Sequence, residues 1–446
     1  MDNGKRGIAE LKSTRRDAKA RSQALTDARQ GGFLQWLLRR LFEKVGNPSV
    51  QIILWNGESY MPPTTSTPVA RLYIRDRSAL WRLMVDPELY FGDAYAAGQI
   101  EVKGDLVEFL VCVYRAIELA GGRGPAARIL ARGLYRPHST SVDEARDNIH
   151  AHYDLGNDFY RLWLDREMVY TCAYYPREGA MLEEAQAAKM HHVCRKLRLR
   201  PGESVVETGC GWGSLALFMA RHYGVKVRAY NISREQIAVA RARARDEGLA
   251  DRVEFVEDDY RNVAGNYDAF VSIGMLEHVG PKYFSQLGQV IDSVLKDNGR
   301  GLIHSIGRVQ PGPMNSWIER RIFPGAHPPS IAEMMAIFEP HRFSVLDIEN
   351  LRMHYARTCR HWLERFDGVA DRVERMFDRR FVRTWRLYLA GSIASFLAGE
   401  LQLYQVVFNR HSDNEVPLTR EHLYTNGHGK SGICALPMRP AANSSE

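Results

Sequence analysis

The chain has 446 residues, of which 45% are hydrophobic and 25% are charged, and its formal net charge is +7. This size and composition predict a globular protein of two or three domains and exclude a disordered or fibrous one. No apolar run indicates a secretion signal or a membrane-spanning helix, and the cysteines show no C-x-x-C spacing. We therefore expect a cytoplasmic protein without a metal site or a disulfide framework.

Residues 1–45 are predicted to form a basic arm that ends in an amphipathic helix. The segment holds eleven Lys and Arg residues against five Asp and Glu residues. Its last part, GFLQWLLRRLFEKVG, places Phe33, Trp36 and several leucines on one broad apolar face. Such a helix either lies on an anionic membrane surface or packs against its own domain, and the sequence leaves both interpretations open.

A small α+β domain is predicted over residues 46–120. The runs VQIILW and ARLYIRD read as strands, and LWRLMV and DLVEFLVCVYRAIELA read as helices. Glycines, prolines and polar residues indicate a linker over residues 121–145. A larger domain then covers residues 146–410, and residues 411–446, rich in Asn, Ser, Gly and His, are a predicted mobile tail.

From residue 205 onwards, strand and helix patterns alternate, which predicts an open parallel sheet. Between the strand VVET and the helix LALFMARHYG lie Gly209, Gly211 and Gly213. A turn of this kind lets a ligand approach bare backbone at the carboxyl edge of a sheet. The spacing differs from the G-x-G-x-x-G of dinucleotide sites, and the next strand ends without an acidic residue. The pattern therefore favours S-adenosylmethionine over NAD.

The ends of the next two predicted strands also carry polar residues suited to a nucleoside. Asn231 and Gln236 are within reach of a ribose, although Gln236 equally fits a helix-capping box with Ser233. Asp259 and Tyr260 follow the third strand and offer a carboxylate and a ring to the edge of an adenine.

Three further residues stand out, of which the last two also have ordinary structural explanations. Glu277 follows the strand AFVSIG directly, at the edge where sheet ligands bind. His304 interrupts an apolar strand, and a single core histidine is more often structural than functional. Cys172 lies in a segment dense in aromatic residues, which is usually a feature of a core.

The motifs, taken together and in order, resemble those of cyclopropane-fatty-acyl-phospholipid synthases. They are HYDLGNDFY, VYTCAYY, ETGCGWGSLA, ISREQ, DDYRN, GMLEHVGPKYF, HSIG, RIFPG and LQLYQVVF, between about residues 150 and 410. The smaller domain also looks like the lipid-binding domain of longer bacterial members. The resemblance implies an α/β fold: a class I methyltransferase with a Rossmann-like parallel sheet and a helical lid, plus a small N-terminal α+β lipid-binding domain.

The resemblance also implies the chemistry. A methyl group passes from S-adenosylmethionine to the cis double bond of an unsaturated phospholipid acyl chain, and a carbocation then loses a proton to bound bicarbonate as the cyclopropane ring closes. The implied holders of bicarbonate are Cys172, Glu277, His304, Tyr355 and the backbone of Ile306. The implied cofactor-binding residues are Tyr170, Thr171, Gly209, Gly211, Asn231, Gln236, Asp259 and Tyr260. Because aromatic faces attract cations, the tyrosines beside Cys172 are expected to stabilise the carbocation.

The expected partners are unsaturated phospholipids on the inner face of a membrane, with a homodimer left open. A nucleic acid is not expected, since the sequence offers neither a basic stacking groove nor an N-P-P-Y clamp. Two alternatives remain: an acyl-chain methyltransferase that makes a methyl or methylene branch, and a lipid-binding scaffold without catalytic activity.

Overall fold

The structure is a computed structural model that describes residues 32–63, 65–121 and 155–424. Three predicted segments lie outside the described residues: the basic arm up to residue 31, nearly all of the linker, and residues 425–446 of the tail. The smaller domain consists of a helix at 32–44, strands β1 (Val50–Leu54), β2 (Ser59–Tyr60), β3 (Ala70–Ile74) and β4 (Ile100–Lys103), and helices Arg77–Val85, Pro87–Ala96 and Leu106–Leu119.

The predicted α+β character of this domain is confirmed. Its sheet has the order β2-β1-β3-β4, in which β1 and β3 are parallel and the outer pairs are antiparallel. Buried and more exposed residues alternate along β1 and β3, as expected when one face of a sheet covers a core. The helices close that core on the buried face.

The amphipathic helix at 32–44 divides its apolar side between two environments. Leu38 and Phe42 are buried in the domain, whereas Phe33 and Trp36 are 48% and 49% exposed. Packing against the helix's own domain therefore accounts for its second half and leaves the aromatic residues of its first turns at the surface.

The larger domain is built on a seven-stranded sheet of order β10-β11-β9-β8-β5-β6-β7. Its strands are β5 (Ser204–Thr208), β6 (Lys226–Asn231), β7 (Val253–Glu257), β8 (Tyr267–Ile273), β9 (Leu295–Gly307), β10 (Phe343–Asn350) and β11 (Gln402–Arg410). Its helices are Asn157–Arg161, Leu182–Lys196, Ser214–Tyr223, Arg234–Asp246, Phe284–Val294, Ser316–Arg321, Ile331–Phe338, Arg352–Gly368, Ala370–Met376 and Arg379–Ala398.

Strands β5 to β9 run parallel, as predicted, so their carboxyl ends meet at one edge of the sheet. The antiparallel strands β10 and β11 complete the sheet on one side, and the sequence analysis did not assign them. Nearly every residue of β11 is buried, so QLYQVVFNR shows no alternation that separates it from a buried helix. The pairing of β11 with β9 places Gln405 opposite His304.

The smaller domain packs against helices that follow or cover the carboxyl edge of the large sheet. Arg383, on the helix Arg379–Ala398, donates to the carbonyl oxygens of Tyr95 and Ile100 at 2.6 and 3.0 Å. A Cβ at Gly92 would lie 2.4 Å from the indole of Trp317, so this position requires glycine for the two domains to meet. The two domains thus share a wall above the sheet edge.

Among the described residues, no helix combines the length and the apolar character that crossing a bilayer requires.

Candidate functional site

The glycine turn after β5 is shaped by two different requirements. Gly209, Gly211 and Gly213 all adopt left-handed backbone conformations, with φ of 80°, 53° and 82°. A Cβ at Gly213 would lie 2.5 Å from the ring of Phe255, so packing requires that glycine. A Cβ at Gly211 would meet no atom within 4 Å, because bare backbone there faces open space. The turn therefore presents backbone to a ligand at Gly211.

A cavity of about 280 Å³ lies over this turn at the carboxyl edge of the sheet. Asn231 and Gln236 meet in its wall: Nδ2 of Asn231 donates to Oε1 of Gln236 at 2.7 Å and to the carbonyl oxygen of Gly211 at 3.3 Å. Six of the predicted cofactor-binding residues line the cavity, namely Tyr170, Thr171, Gly209, Gly211, Asn231 and Gln236.

The other two, Asp259 and Tyr260, lie at the end of β7 and outside the cavity lining. The Asp259 carboxylate accepts the backbone N–H of Arg261 at 2.9 Å and its guanidinium at 3.1 Å. The guanidinium also stands 4.9 Å from the centre of the Tyr260 ring. Both residues therefore have local structural roles, and their contact with an adenine stays a prediction.

One acidic group of the site is Glu277, in the short 3-10 turn Leu276–His278 after β8. The backbone N–H of Ile306 on β9 donates to its Oε1 at 2.6 Å. Its Oε2 is buried and has no hydrogen-bond partner in the described part of the chain. Burial raises the pKa of Glu277 to about 7, so this carboxyl group is partly protonated at neutral pH.

His304, two residues before Ile306, is a neutral imidazole with one unsatisfied nitrogen. The side-chain nitrogen of Gln405 lies 3.0 Å from Nδ1, so with that amide as donor the ring proton is on Nε2. Nε2 is buried and meets no partner among the residues that the structure describes. Burial lowers the pKa of His304 well below its usual value. Most buried polar side-chain atoms have a hydrogen-bond partner, so the unpartnered Nε2 of His304 calls for an explanation.

Cys172 and Tyr355 complete the predicted group. Both pack with Ile306 in one small cluster, and burial raises the pKa of each well above its usual value. The thiol and the phenol are therefore neutral. Glu277, Ile306 and Tyr355 line the cavity, whereas Cys172 and His304 are outside its lining. Because the Ile306 N–H already donates to Glu277, its predicted contact with an anion stays a prediction.

Aromatic residues line the cavity, but they are largely different from the tyrosines that the sequence pointed to. Tyr174 is stacked between His192 and His354, with ring centres 4.3 and 4.7 Å away, and Tyr175 lies against Arg357; neither lines the cavity. The cavity wall instead contains Phe91, Tyr114, Tyr170, Trp212, Trp317, Phe323, Tyr355, Tyr388 and Phe396. Most of these come from the helices Arg352–Gly368 and Arg379–Ala398 and from the smaller domain, far from Cys172 in sequence.

The sequence analysis missed Lys189 and Gln186, on the helix Leu182–Lys196. Both are buried, and each donates a hydrogen bond to Thr171 in the cavity wall. Their three-residue spacing on the face that also carries Val193 was the available signal, since long polar side chains rarely occupy the buried face of a helix.

Comparison with known proteins agrees with this geometry. The sequence profile of the family described as mycolic acid cyclopropane synthetase matches residues 140–406, and a domain of unknown function matches residues 37–119. A probable fatty acid methyltransferase of Pseudomonas putida is 32% identical over 84% of this chain and 96% of its own length. The cyclopropane-fatty-acyl-phospholipid synthase of Escherichia coli K12 is 40% identical over 60% of this chain and 69% of its own length.

A solved structure, that of the mycolic acid cyclopropane synthase CmaA1 complexed with SAH and CTAB, superposes with a TM-score of 0.57 at 27% identity. It covers 59% of this chain and 97% of that protein. The family match spans more than half of the chain and includes the glycine turn, the Glu277 turn and β9. The chain therefore belongs to the mycolic acid cyclopropane synthetase family of S-adenosylmethionine-dependent methyltransferases.

Proposed function

We propose that this enzyme transfers a methylene unit from S-adenosylmethionine to the cis double bond of an unsaturated phospholipid acyl chain and forms a cyclopropane ring. One observation carries the proposal. The glycine turn of β5 and the half-satisfied carboxyl group of Glu277 open on the same cavity, whose wall also contains many aromatic and apolar side chains. That arrangement suits a reaction that creates a cation and then removes a proton from it.

The residues around the turn fit the cofactor. Gly211 leaves room for a ligand against the backbone, and the Asn231–Gln236 pair offers amide groups at the end of β6. We assign these residues, with Tyr170, Thr171 and Gly209, to cofactor binding. The bound cofactor supplies an electrophilic methyl group on a sulfonium.

The aromatic wall suits the charge that develops on the substrate. Methylation of an alkene leaves a carbocation, and a ring face attracts a cation by about 2 kcal/mol or more when water is excluded. Tyr355 is stacked on Phe396 with ring centres 4.7 Å apart, which holds its ring in place beside Glu277 and Ile306. Because the phenol is neutral, Tyr355 presents an uncharged ring to the cavity, and the face of this ring attracts a cation.

We further propose that Glu277 and His304 hold a bicarbonate ion that serves as the base. Both have a buried atom without a partner in the described chain, Oε2 of Glu277 and Nε2 of His304. A protonated Glu277 and an Nε2–H of His304 are both donors, which an anion with several acceptor oxygens requires. The protonation states of Glu277 and His304 are then coupled to the protonation state of the bound bicarbonate.

An acyl-chain substrate explains why the smaller domain contributes to the cavity. Phe91, Leu110 and Tyr114 of that domain line it together with Leu387 and Gly391 of the helix Arg379–Ala398. These apolar side chains offer contacts to a long alkyl chain that a small polar substrate would not use.

A surface aromatic patch, formed by Phe33, Trp36, Trp81 and Val85, suits docking on a membrane. Phe33 lies 6.0 Å from Trp36 and 6.1 Å from Trp81, and all four residues are about half exposed or more. Arg40 stands over Trp36 at 5.7 Å. Aromatic residues flanked by cations favour the headgroup boundary of an anionic bilayer, so we propose peripheral attachment through this patch.

A second candidate is an acyl-chain methyltransferase that leaves a methyl or methylene branch. The similarity to a probable fatty acid methyltransferase of Pseudomonas putida over 84% of the chain favours it. Expression of the chain in cells with unsaturated phospholipids, followed by proton NMR of the extracted lipids, separates the two. Cyclopropane methylene signals at high field support the ring, and vinylidene or branch-methyl signals without them overturn it.

A further inference from the structure

Gln405 is a buried amide that the reaction scheme above does not use. It lies in the middle of β11 and is fully buried. Because β11 pairs antiparallel with β9 on one side and with β10 on the other, Gln405 is directly opposite both His304 and Glu349. Directly opposed residues of neighbouring antiparallel strands direct their side chains to the same face of the sheet. His304, Gln405 and Glu349 therefore form a polar row across three strands.

The contact between Gln405 and His304 determines which ring nitrogen carries the proton. Nε2 of Gln405 lies 3.0 Å from Nδ1 of His304. An amide nitrogen only donates, so Nδ1 accepts with its lone pair, and the single proton of the neutral ring is on Nε2. Burial, together with the positive charges of Lys189 and Lys196, lowers the pKa of His304 well below its usual value. The ring therefore stays neutral, with a lone pair on Nδ1.

The carboxylate at the far end of the row is engaged elsewhere. Oε2 of Glu349 accepts from Nζ of Lys196 at 2.6 Å and lies 2.7 Å from Nε2 of His192. Although burial opposes ionisation, the hydrogen bond with His192 and the charge of Lys196 lower the pKa of Glu349 to about 2. A histidine often donates from Nδ1 to a carboxylate or a carbonyl oxygen, which leaves Nε2 free to accept a proton. Here Nδ1 faces an uncharged donor instead, so the roles of the two nitrogens are reversed.

We propose that Gln405 is a positioning residue that holds the His304 ring proton on Nε2, so that this nitrogen donates to the bound bicarbonate and does not itself take the substrate proton. The buried Nε2 has no partner in the described part of the chain, so its N–H is available to an acceptor oxygen of the anion. His304 then acts as an anion holder, and the base is the ion. The inference rests on the proposed role of bicarbonate.

The first test reads the two ring nitrogens of His304 by NMR in protein labelled with nitrogen-15 at histidine, with His304→Ala to identify the signals. We expect a proton on Nε2 alone in the unmodified enzyme. Gln405→Met, which keeps an unbranched side chain but removes the donor, should give a mixture of both tautomers. Asn409→Leu is the matched control, because it removes another buried amide of β11, one that is bonded to Asp413. A proton on Nδ1 in the unmodified enzyme, or an unchanged ring in Gln405→Met, overturns the proposal.

The second test separates bicarbonate binding from turnover. We expect Gln405→Met to raise the bicarbonate concentration that gives half the maximal rate by about 2- to 10-fold, the value of one hydrogen bond between neutral groups, with the maximal rate within a few fold. An equal fall in rate at every bicarbonate concentration shows a structural role only and overturns the proposal. If Gln405→Met does not fold, the tautomer of the unmodified enzyme still decides. A rate of the unmodified enzyme that is independent of bicarbonate counts against the proposed base instead, and the NMR result still tests Gln405.

Discussion

The backbone N–H of Ile306 donates to Oε1 of Glu277 at 2.6 Å, although the two residues are 29 positions apart. The contact exists because β8 and β9 are parallel neighbours, so the turn that follows β8 meets the end of β9 at one edge of the sheet. It orients the carboxyl group and uses one oxygen for structure. Only Oε2 is then available to a ligand, which is the basis of the first prediction.

Replacement of either proposed anion holder should slow the reaction without loss of cofactor affinity. We expect Glu277→Gln and His304→Ala to lower turnover by about 10² or more, as for the loss of a positioned acid or base, while S-adenosylhomocysteine affinity stays within a few fold. Steady-state rates and isothermal titration measure the two quantities. Glu254→Gln, at an exposed carboxylate on β7, is the control. A parallel fall in cofactor affinity would contradict the assignment.

The raised pKa of Glu277 also makes a prediction about folding stability. Below about pH 4.5 the group is protonated in both states; above it, the unfolded chain releases the proton while the folded chain keeps it until about pH 7. Ionisation of Glu277 therefore lowers the free energy of unfolding as the pH rises through this window. Its cost at pH 8 is at most about 3 kcal/mol, from roughly 1.4 kcal/mol per pKa unit.

Glu277→Gln removes this cost, so the variant should gain stability relative to the unmodified protein between pH 5 and pH 7 and show a constant difference above about pH 7.5. Urea unfolding at a series of pH values measures the free energy of unfolding of both proteins. In the difference between the two, the contributions of all other titrating groups cancel. A difference that does not change with pH would show that the folded-state pKa of Glu277 is close to its ordinary value.

The parallel part of the fold was predictable because its strands and helices follow one another at short range. The glycine turn and Asn231 lie at strand ends that any parallel sheet brings together, so this side of the cavity, where we propose that the cofactor binds, follows from local pattern. The antiparallel strands β10 and β11 were not assigned, because their pairing is long-range and β11 is buried on both faces. With β11 unplaced, the Gln405 partner of His304 was also beyond prediction.

The aromatic wall shows the same limit on sequence reasoning. Tyr174 lies two residues from Cys172 in an extended segment, yet its ring stacks on His192 and His354 away from the cavity. The rings that line the cavity near Cys172, such as Tyr355 and Phe396, come from helices about 180 and 220 residues further on. Of the three tyrosines close to Cys172 in sequence, only Tyr170 lines the cavity, so sequence proximity did not identify the other rings of the wall.

The end of the cavity where the two domains meet should control which acyl chains react. A Cβ at Gly391 would stand 3.8 Å from the Tyr114 hydroxyl, an ordinary contact, so Gly391→Ala should fold and act nearly normally. Gly391→Leu adds three further carbons to the cavity wall, opposite Tyr114 of the smaller domain. We expect it to lower the rate on long-chain lipids by about tenfold or more, since overpacking of a filled site costs roughly 1–3 kcal/mol.

Gas chromatography of the lipid products measures this selectivity, and cofactor affinity should be the same in both Gly391 variants. Equal activity of Gly391→Leu and Gly391→Ala on every chain length would place the acyl chain elsewhere.

Bicarbonate dependence tests the proposed base directly. Removal of dissolved carbon dioxide should lower turnover, and added bicarbonate should restore it, with a larger response in a variant whose anion holder is weakened. Cys172→Ser suits this purpose because it keeps a small, neutral side chain in the cluster with Ile306 and Tyr355. Rates that are independent of bicarbonate in both proteins would rule this base out.

The aromatic patch should decide whether the enzyme reaches its substrate in a bilayer. Removal of residues 1–45 is a poor test, because it also deletes Leu38 and Phe42, which are buried in the smaller domain. Substitution of Phe33, Trp36 and Trp81 by Glu leaves that core intact. It removes apolar side chains that are already half exposed and adds negative charge beside an anionic surface.

We expect the triple variant to bind anionic vesicles about tenfold more weakly or worse, with cofactor affinity unchanged, since each apolar side chain transferred from water contributes up to about 1.5–3 kcal/mol. Vesicle sedimentation measures binding, and Leu418→Glu, at a fully exposed leucine, is the matched control. Binding of the unmodified enzyme should also weaken in high salt, because salt screens the attraction between its cations and the anionic lipids. The Debye length is about 8 Å at physiological ionic strength and becomes shorter as salt is added. If the triple variant binds as well as the control, the Arg-rich segment 352–386 becomes the docking surface to test.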